Sequence, residues 1–553
     1  MTVALHDLLP AQLRRTWALD GTCPDLDLYS LYRARQIADP HSTAVIDAKG
    51  PLCYTALDRK ARCLAAGLSG LGICAGDVVG IQLPNGRAAV IADLALAALG
   101  AIALPFPVGR SGNEAVSLLR RSEAVAVIAT AEHRGNRHAA DLLSRTAELP
   151  TLRAVVAAGR DVPEGAAALS ALLRTDPTAF VPARPDPDSA ARILVSSGSE
   201  AEPKMVAYSH NALAGGRGNF LASLMPDRQP PRCLFLVPLA SAFGSNGTAV
   251  ALARHGGTLI LLDHFTPQAA VEALAAHEPT HVLGVPTMIR MLLDRIAVDG
   301  GPAFKPPTAL VVGGAPLDET TAQEARGVFG CPVVNLYGSA DGVNCHTGLA
   351  DQALDGPGTG ILAGHPDPRV ADIRIAVPGA PLLEEVPQGS VGEIVARGPM
   401  TPLCYVAAPD LDIRYRTADG WVRTGDLGLI EEDGSLRIVG RLKDVVIRGG
   451  ANISPAEVEI ALAAHPLVRD VVCVGVPDPL MGERLAACVV LRGEAAALTL
   501  EELGSHLDAR GLERRKHPEH LLQIGELPLT PAGKPDRALL RELCSGEVLT
   551  KAG

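Results

Sequence analysis

No Cys-x-x-Cys pair occurs in the 553 residues, nor any Cys/His cluster with zinc-ligand spacing. The eleven cysteines stand singly and are odd in number, which reads as reduced thiols in a cytoplasmic protein, without a disulfide framework. No Lys/Arg-rich run is present, and the formal charge is −11, from 50 basic and 61 acidic side chains. That balance argues against nucleic acid as a partner, so any anionic ligand must be met by a few locally placed cations. The opening residues 1–15 lack a continuous apolar run, so no signal peptide is expected. The most apolar stretch, residues 88–105, is Ala-rich and carries Asp93. A buried helix followed by a strand explains it better than a membrane span. No internal repeat is visible.

What is present is a long chain with 47% hydrophobic residues, too long for one compact core and too apolar to be disordered. Residues 1–24 have mixed polarity and read as a lead-in arm. From 28 to 180, short β-rich runs (78–83, 125–129) alternate with helix-like stretches (54–71, 87–99), the pattern of βαβ units on a parallel sheet. Residues 181–188 hold three prolines and read as a connector. A second alternating region follows, with strands expected at 234–238, 258–262, 281–285 and 309–312. Residues 369–440 turn β-rich and Gly-punctuated, which suggests a smaller barrel-like layer. After 441 the pattern restarts with helix 455–464, strands 471–476 and 486–491, and helix 500–510. The expectation is an α/β fold. A large N-terminal domain (1–440) holds two mostly parallel sheets plus a β-rich layer, and a small α+β domain (441–553) is large enough for its own core.

Residues 193–206, Ile-Leu-Val-Ser-Ser-Gly-Ser-Glu-Ala-Glu-Pro-Lys-Met-Val, carry the most information. An apolar β-branched run breaks into small residues and ends on one lysine. Small residues around Gly198 let backbone N–H groups approach phosphate oxygens, and Ser196, Ser197 and Ser199 add hydroxyl donors. Lys204 can supply the counter-charge. The Gly-Lys-Ser/Thr ending of a Walker loop is absent, and alone the segment could be an ordinary polar loop. Four more segments follow in order. They are Asn-Leu-Tyr-Gly-Ser-Ala-Asp-Gly at 335–342, Trp-Val-Arg-Thr-Gly-Asp-Leu at 421–427, Gly-Arg-Leu-Lys-Asp-Val-Val-Ile-Arg-Gly-Gly-Ala-Asn-Ile-Ser-Pro at 440–455, and Leu-Pro-Leu-Thr-Pro-Ala-Gly-Lys-Pro-Asp-Arg at 527–537. With these in place the chain resembles the adenylate-forming superfamily of acyl- and aryl-CoA ligases, peptide-synthetase adenylation domains and firefly luciferase. The resemblance covers roughly residues 25–545.

Adenylation requires an ionised carboxylate to attack the α-phosphorus of ATP while pyrophosphate leaves in line. Both reactants are anions, and a cation near 4 Å at an effective dielectric of about 20 offsets on the order of 4 kcal/mol. The resemblance assigns that cation to Lys534, the catalytic residue, in a loop where Gly533 permits close approach. It assigns the ribose hydroxyls to Asp426, whose carboxylate accepts twice and donates nothing, with Arg441 beside it. Tyr337 would stack on adenine, flanked by Gly338, Ser339 and Ala340, while Gly314 and Ala315 would bring backbone to the purine edge. A tight turn after strand 309–312 is the plainer reading of that last pair. Asp341 stands where relatives carry a Glu that holds Mg²⁺. Lys443 marks the hinge on which the small, mobile domain would turn. Arg448, Gly449 and Gly450 would then line a channel for a pantetheine thiol, although the two glycines also suit a hairpin.

Five positions depart from the family's pattern. Glu200 and Ala201 replace the usual Thr and Gly of the phosphate loop, and Ala340 replaces a Thr. Ser241 stands where many relatives have His, and Ala242 where aryl-acid siderophore ligases have the Asn that reads a ring hydroxyl. Ser241, Ala242, Phe243, Gly247 and Val343 suggest a mainly apolar pocket wall, and no acidic residue awaits an α-amino group. The reading is ATP-dependent activation of an aryl or otherwise largely apolar acid, with ATP and Mg²⁺, followed by transfer to a thiol, CoA first. A carrier-protein phosphopantetheine, nitrite activation for diazotising an aromatic amine, and a degenerate nucleotide binder are the alternatives. Neither a nucleic acid nor a membrane is expected as a partner.

Overall fold

The computed structural model describes residues 5–196, 203–299, 302–351, 354, 360–380, 382–448, 451–492, 498–530 and 535–551. Two eight-stranded sheets dominate the first 440 residues. In one, strands Val333–Ser339, Ala309–Gly313, His281–Gly284, Arg232–Phe235, Thr258–Leu261 and Thr43–Asp47 run parallel. Antiparallel strands Val343–His346 and Gly50–Cys53 close its two ends. In the other, Ala190–Val195, Ile102–Pro105, Val78–Gln82, Ala126–Thr130, Ala154–Ala158 and Ala167–Ala168 are parallel. There the antiparallel strands Met205–Ser209 and Cys404–Tyr405 complete one edge. The expected parallel sheets are therefore present, each finished by antiparallel strands that the alternation of elements did not reveal.

Parallel strands need cover on both faces, and Val78–Gln82, Ala126–Thr130 and Ala309–Gly313 are buried at every position. Helices Tyr54–Gly70 and Arg87–Leu99 join both sheets in one continuous core. The apolar stretch with Asp93 is thus a helix followed by the strand Ile102–Pro105. The helix stops at Gly100, whose φ of 71° is left-handed and whose missing Cβ leaves room for Ala183. Asp93 itself pairs with buried Arg192 at 2.8 Å.

The lead-in arm is more than an arm. It contains a helix, Ala11–Leu19, is braced internally by Arg14 bonding Asp7, and is pinned to the body by Leu8 N–H donating to the Leu403 carbonyl. The β-rich layer is a five-stranded antiparallel sheet that begins earlier than its Gly punctuation suggests, because Ile361–Gly364 pairs with Leu436–Arg441. Beyond it lies a separate sheet of Val446–Arg448, Ala451–Ile453, Gly482–Leu491, Val468–Asp478 and His520–Gln523. Helices Pro455–Ala463 and Leu500–Ala509 cover one of its faces and Arg537–Lys551 the other. Among the described residues this last unit is tied to the rest by Ser454 Oγ, which donates to the Val439 carbonyl at 2.5 Å, and by Arg290, which pairs with Asp470 at 2.9 Å.

Candidate active site

Nearly every candidate in the first 440 residues lies just past the C-terminal end of a parallel strand or on an antiparallel hairpin at a sheet edge, where open α/β sheets place their ligand crevices. Strand Ala190–Val195 runs into Ser196, and Ser196 N–H donates to the Lys204 carbonyl at 2.9 Å, which extends the antiparallel pairing of Ala190–Val195 with Met205–Ser209. Ser197, Gly198, Ser199, Glu200 and Ala201 lie outside the described residues. Ser196 Oγ is buried and has no hydrogen-bond partner among the described residues, as a hydroxyl kept for a ligand would be.

Lys204 is buried and turned inward. Its ammonium sits 3.9 Å from the Tyr415 ring centroid, 5.4 Å from that of Tyr405, and 3.9 Å from Asp341 Oδ1. Two aromatic faces hold a cation without neutralising it. Asp341 comes from the other sheet, in the turn between Val333–Ser339 and Val343–His346. It accepts from Tyr405 Oη at 2.6 Å and from Ser339 Oγ at 3.2 Å. Gly342, next to it, has φ 108°, and a Cβ there would meet Pro402 Cδ at 2.4 Å, so only glycine allows this turn against its neighbour. Tyr208 Oη donates to the Ala340 carbonyl at 2.8 Å, a second bond between the sheets. One loop tip from each sheet thus brings a cation and a carboxylate into the same crevice.

A second cluster lies on the third sheet. Asp426 is buried, and its two carboxylate oxygens accept from Tyr337 Oη at 2.8 Å and from Arg441 Nε at 2.6 Å. Asp426 and Arg441 are cross-strand partners, which is why residues 15 apart in sequence meet. Burial, then the Asp426 charge, push the Tyr337 hydroxyl well above its ordinary pKa, and Asp426 raises that of half-exposed Arg441. Beneath this cluster Arg423 pairs with Glu393 at 2.8 Å, and Glu393 also accepts from Gly425 N–H, bracing the Thr-Gly-Asp turn. Each Asp426 oxygen keeps a free lone pair, enough for a vicinal diol. Gly314 (φ 85°) and Ala315 follow the strand Ala309–Gly313, whose neighbour carries Tyr337 and Gly338.

The pocket candidates form one compact turn. Ser241 Oγ donates to the Pro238 carbonyl at 2.7 Å and accepts from Gly244 N–H at 2.9 Å, so this hydroxyl serves the turn. Gly247, which starts the π-helical segment Gly247–Arg254, abuts Leu239, while Ala242 and Phe243 are half-buried and Val343 is fully buried. Sequence reasoning missed Tyr208, Arg217, Asn246, Tyr405 and Tyr415 here. A charge directly after Gly215 and Gly216 in an apolar helix was a visible signal for Arg217; the tyrosines carried none.

Five candidates beyond Arg441 stand apart. Lys443 lies in the short 3₁₀ turn Leu442–Asp444. Arg448 pairs with Glu519 at 3.2 Å inside the small unit, as part of that unit's own ion-pair network. Gly449, Gly450 and Lys534 lie outside the described residues. No three His, Cys, Asp or Glu side chains gather to hold a metal among the described residues. A single Asp suits Mg²⁺ that arrives on a polyphosphate, since that ion keeps its waters and takes few protein ligands.

Residues 33–406 match the AMP-binding enzyme family, and residues 457–534 match the AMP-binding enzyme C-terminal domain. The chain belongs to the AMP-binding enzymes. A medium-chain fatty-acid–CoA ligase of Escherichia coli is 30% identical, over 96% of this chain and 93% of that one. A salicyl-AMP ligase / salicyl-S-ArCP synthetase of Mycobacterium tuberculosis is 32% identical, over 93% and 90%. Among solved structures, the amide bond synthetase McbA from Marinactinospora thermotolerans superposes with a TM-score of 0.80 at 27% identity, over 93% of this chain and 99% of its own. As an AMP-binding enzyme the chain is an adenylate-forming ligase acting on acids. No described helix is long and apolar enough to cross a membrane.

Proposed function

We propose that this ligase joins a largely apolar carboxylic acid to AMP and then passes the acyl group to a thiol, CoA first. The observation that carries the reading is the meeting of Lys204 and Asp341 in one crevice, beside the Tyr337–Asp426–Arg441 cluster. In the first step an acid oxygen bonds to the α-phosphorus as the bond to pyrophosphate breaks. Asp426, oriented by Tyr337 and Arg441, takes the ribose hydroxyls. Lys204, held over Tyr415, faces the departing phosphates, and Ser196 Oγ can donate to one of them. Asp341 would hold Mg²⁺, which when bound offsets phosphate charge. Lys534, delivered by the small domain turning at Lys443, sits between the two anions. In the second step the thiol sulfur bonds to the acyl carbon and AMP leaves.

A carrier-protein thiol is the second acceptor to weigh, because the mycobacterial relative is named for such a transfer. Pyrophosphate exchange across a panel of acids, followed by mass spectrometry of products with CoA or a loaded carrier, tests both steps. Exchange with no acid at all removes the reading in favour of a degenerate binder. Lys534→Ala is expected to slow exchange by about a thousandfold, the value of one cation near 4 Å at an effective dielectric of about 20. ATP binding by calorimetry should change little. Unaltered exchange removes Lys534 from the mechanism.

A further inference from the structure

The pocket wall, apolar by its sequence, has a charged floor. Arg217 begins the helix Arg217–Ser223 directly after the π-helical turn Ala212–Gly216, and the second π-helical segment, Gly247–Arg254, packs beside it. Such segments collect at functional sites because they push side chains out of helical register. Arg217 is 5% exposed. Its Nη1 donates to the Ala242 carbonyl at 2.8 Å and to Ser245 Oγ at 2.9 Å, both in the pocket turn. Its Nε has no partner among the described residues.

The other buried arginines behave differently. Arg14, Arg192, Arg423 and Arg437 pair with Asp7, Asp93, Glu393 and Glu431. Among the described residues no carboxylate pairs with Arg217. A buried guanidinium without a counter-ion is costly unless something else supplies the charge. Beside it, Asn246 is 4% exposed; its Nδ2 donates to the Phe243 carbonyl, and its Oδ1 is buried without a partner. The Arg217 guanidinium lies 5.0 Å from the Tyr208 ring centroid, and the hydroxyl of that ring bonds the Ala340 carbonyl. One aromatic ring therefore separates the charged floor from the end of the pocket where Ala340 stands.

We propose that Arg217, assisted by Asn246, reads a second anionic oxygen group on the acid, remote from the reacting carboxyl across a body about as long as a benzene ring. This rests on the activation reading above and narrows its substrate class. The missing counter-ion of Arg217 is then the substrate itself. Asn246 Oδ1 accepts from a hydroxyl or water beside that group.

The test compares terephthalate with benzoate, which share a ring and differ in the distal carboxylate. Wild-type kcat/KM in pyrophosphate exchange is expected to favour terephthalate. In Arg217→Leu the terephthalate-to-benzoate ratio should fall about tenfold or more, the usual worth of a charged hydrogen bond. A residue that only braces the turn would lower both acids by one factor and leave the ratio intact, which overturns the assignment. So does a wild-type enzyme indifferent to the distal charge. If Arg217→Leu does not fold, Arg217→Lys, which keeps the charge but not the fork, serves for the same ratio. Calorimetric titration of both acids into wild type and variant gives a readout free of catalysis. If no acid exchanges but terephthalate still binds in an Arg217-dependent way, the activation reading fails and this one stands; if neither is seen, both fail.

Discussion

Asp426 shows how much chemistry a single buried carboxylate can organise. It is already bonded on both oxygens, to a phenol and a guanidinium, and those partners fix where its remaining lone pairs point. Asp426→Asn would place an amide where two donors now converge, so one donor meets an N–H group. The expected result is a rise in KM for ATP of about tenfold to a hundredfold, from loss of a charged acceptor. The KM for the acid should hardly move. Steady-state kinetics with each substrate varied in turn checks this, and equal effects on both would mean a general collapse of the site. The residue type and its Thr-Gly-Asp setting were legible in the sequence, whereas Tyr337 as its hydrogen-bond partner was not. Sequence reading gave that tyrosine to adenine through its ring; the structure adds a hydroxyl that anchors the ring in place.

The strand Ala190–Val195 leads from the core to the hairpin that carries Lys204, and Arg192 is its one charged residue. Arg192 bonds Asp93 on the helix Arg87–Leu99 and the Leu239 carbonyl at the start of the pocket turn. Helix, strand and the turn after Leu239 are thus held by one buried guanidinium. Asp93→Ala would leave it uncompensated, at a cost of about 3–5 kcal/mol. Chemical denaturation should report that loss, whereas the double variant with Arg192→Leu should recover part of it. No recovery would mean that Asp93 matters for packing alone. The helix and its charge were both readable in the apolar stretch. The partner, 99 positions away, was not, because hydrophobic periodicity says what is buried and not which element lies opposite.

Acid sensitivity is a property of the assembled fold. His210 is buried against Leu28, and its Nδ1 accepts the Leu28 N–H at 3.2 Å, a bond only the neutral ring can make. Burial lowers its pKa to about 4, and burial lowers that of His255, which bonds the Gly218 carbonyl, to about 4 as well. In the unfolded chain both titrate near pH 6.5. A depressed histidine contributes stability that is complete above the unfolded pKa and is lost as pH falls toward the folded one. Stability should therefore drop between roughly pH 6.5 and 4, by on the order of 3 kcal/mol for each ring. Calorimetric melting across that range checks it. His210→Asn, which cannot titrate, should flatten the slope, and an unchanged slope would assign acid sensitivity elsewhere. The pair Arg290–Asp470 is one contact between the large unit and the small one, and the proposed turning of the latter would break it.

Composition, alternation and five ordered segments were enough to specify the α/β class, the two sheets, the small C-terminal unit and the family. Those features depend on periodicity and on local turns, which a chain carries along its own length. The company each side chain keeps was decided only on folding. Lys204 facing two tyrosines and Asp341 reaching it from the other sheet arise where hairpins from separate sheets converge, and Arg217, without a carboxylate among the described residues, arises where a helix meets the turn that follows Phe235. Such meetings depend on how the sheets pack across their shared helices, and no stretch of consecutive residues encodes that distance.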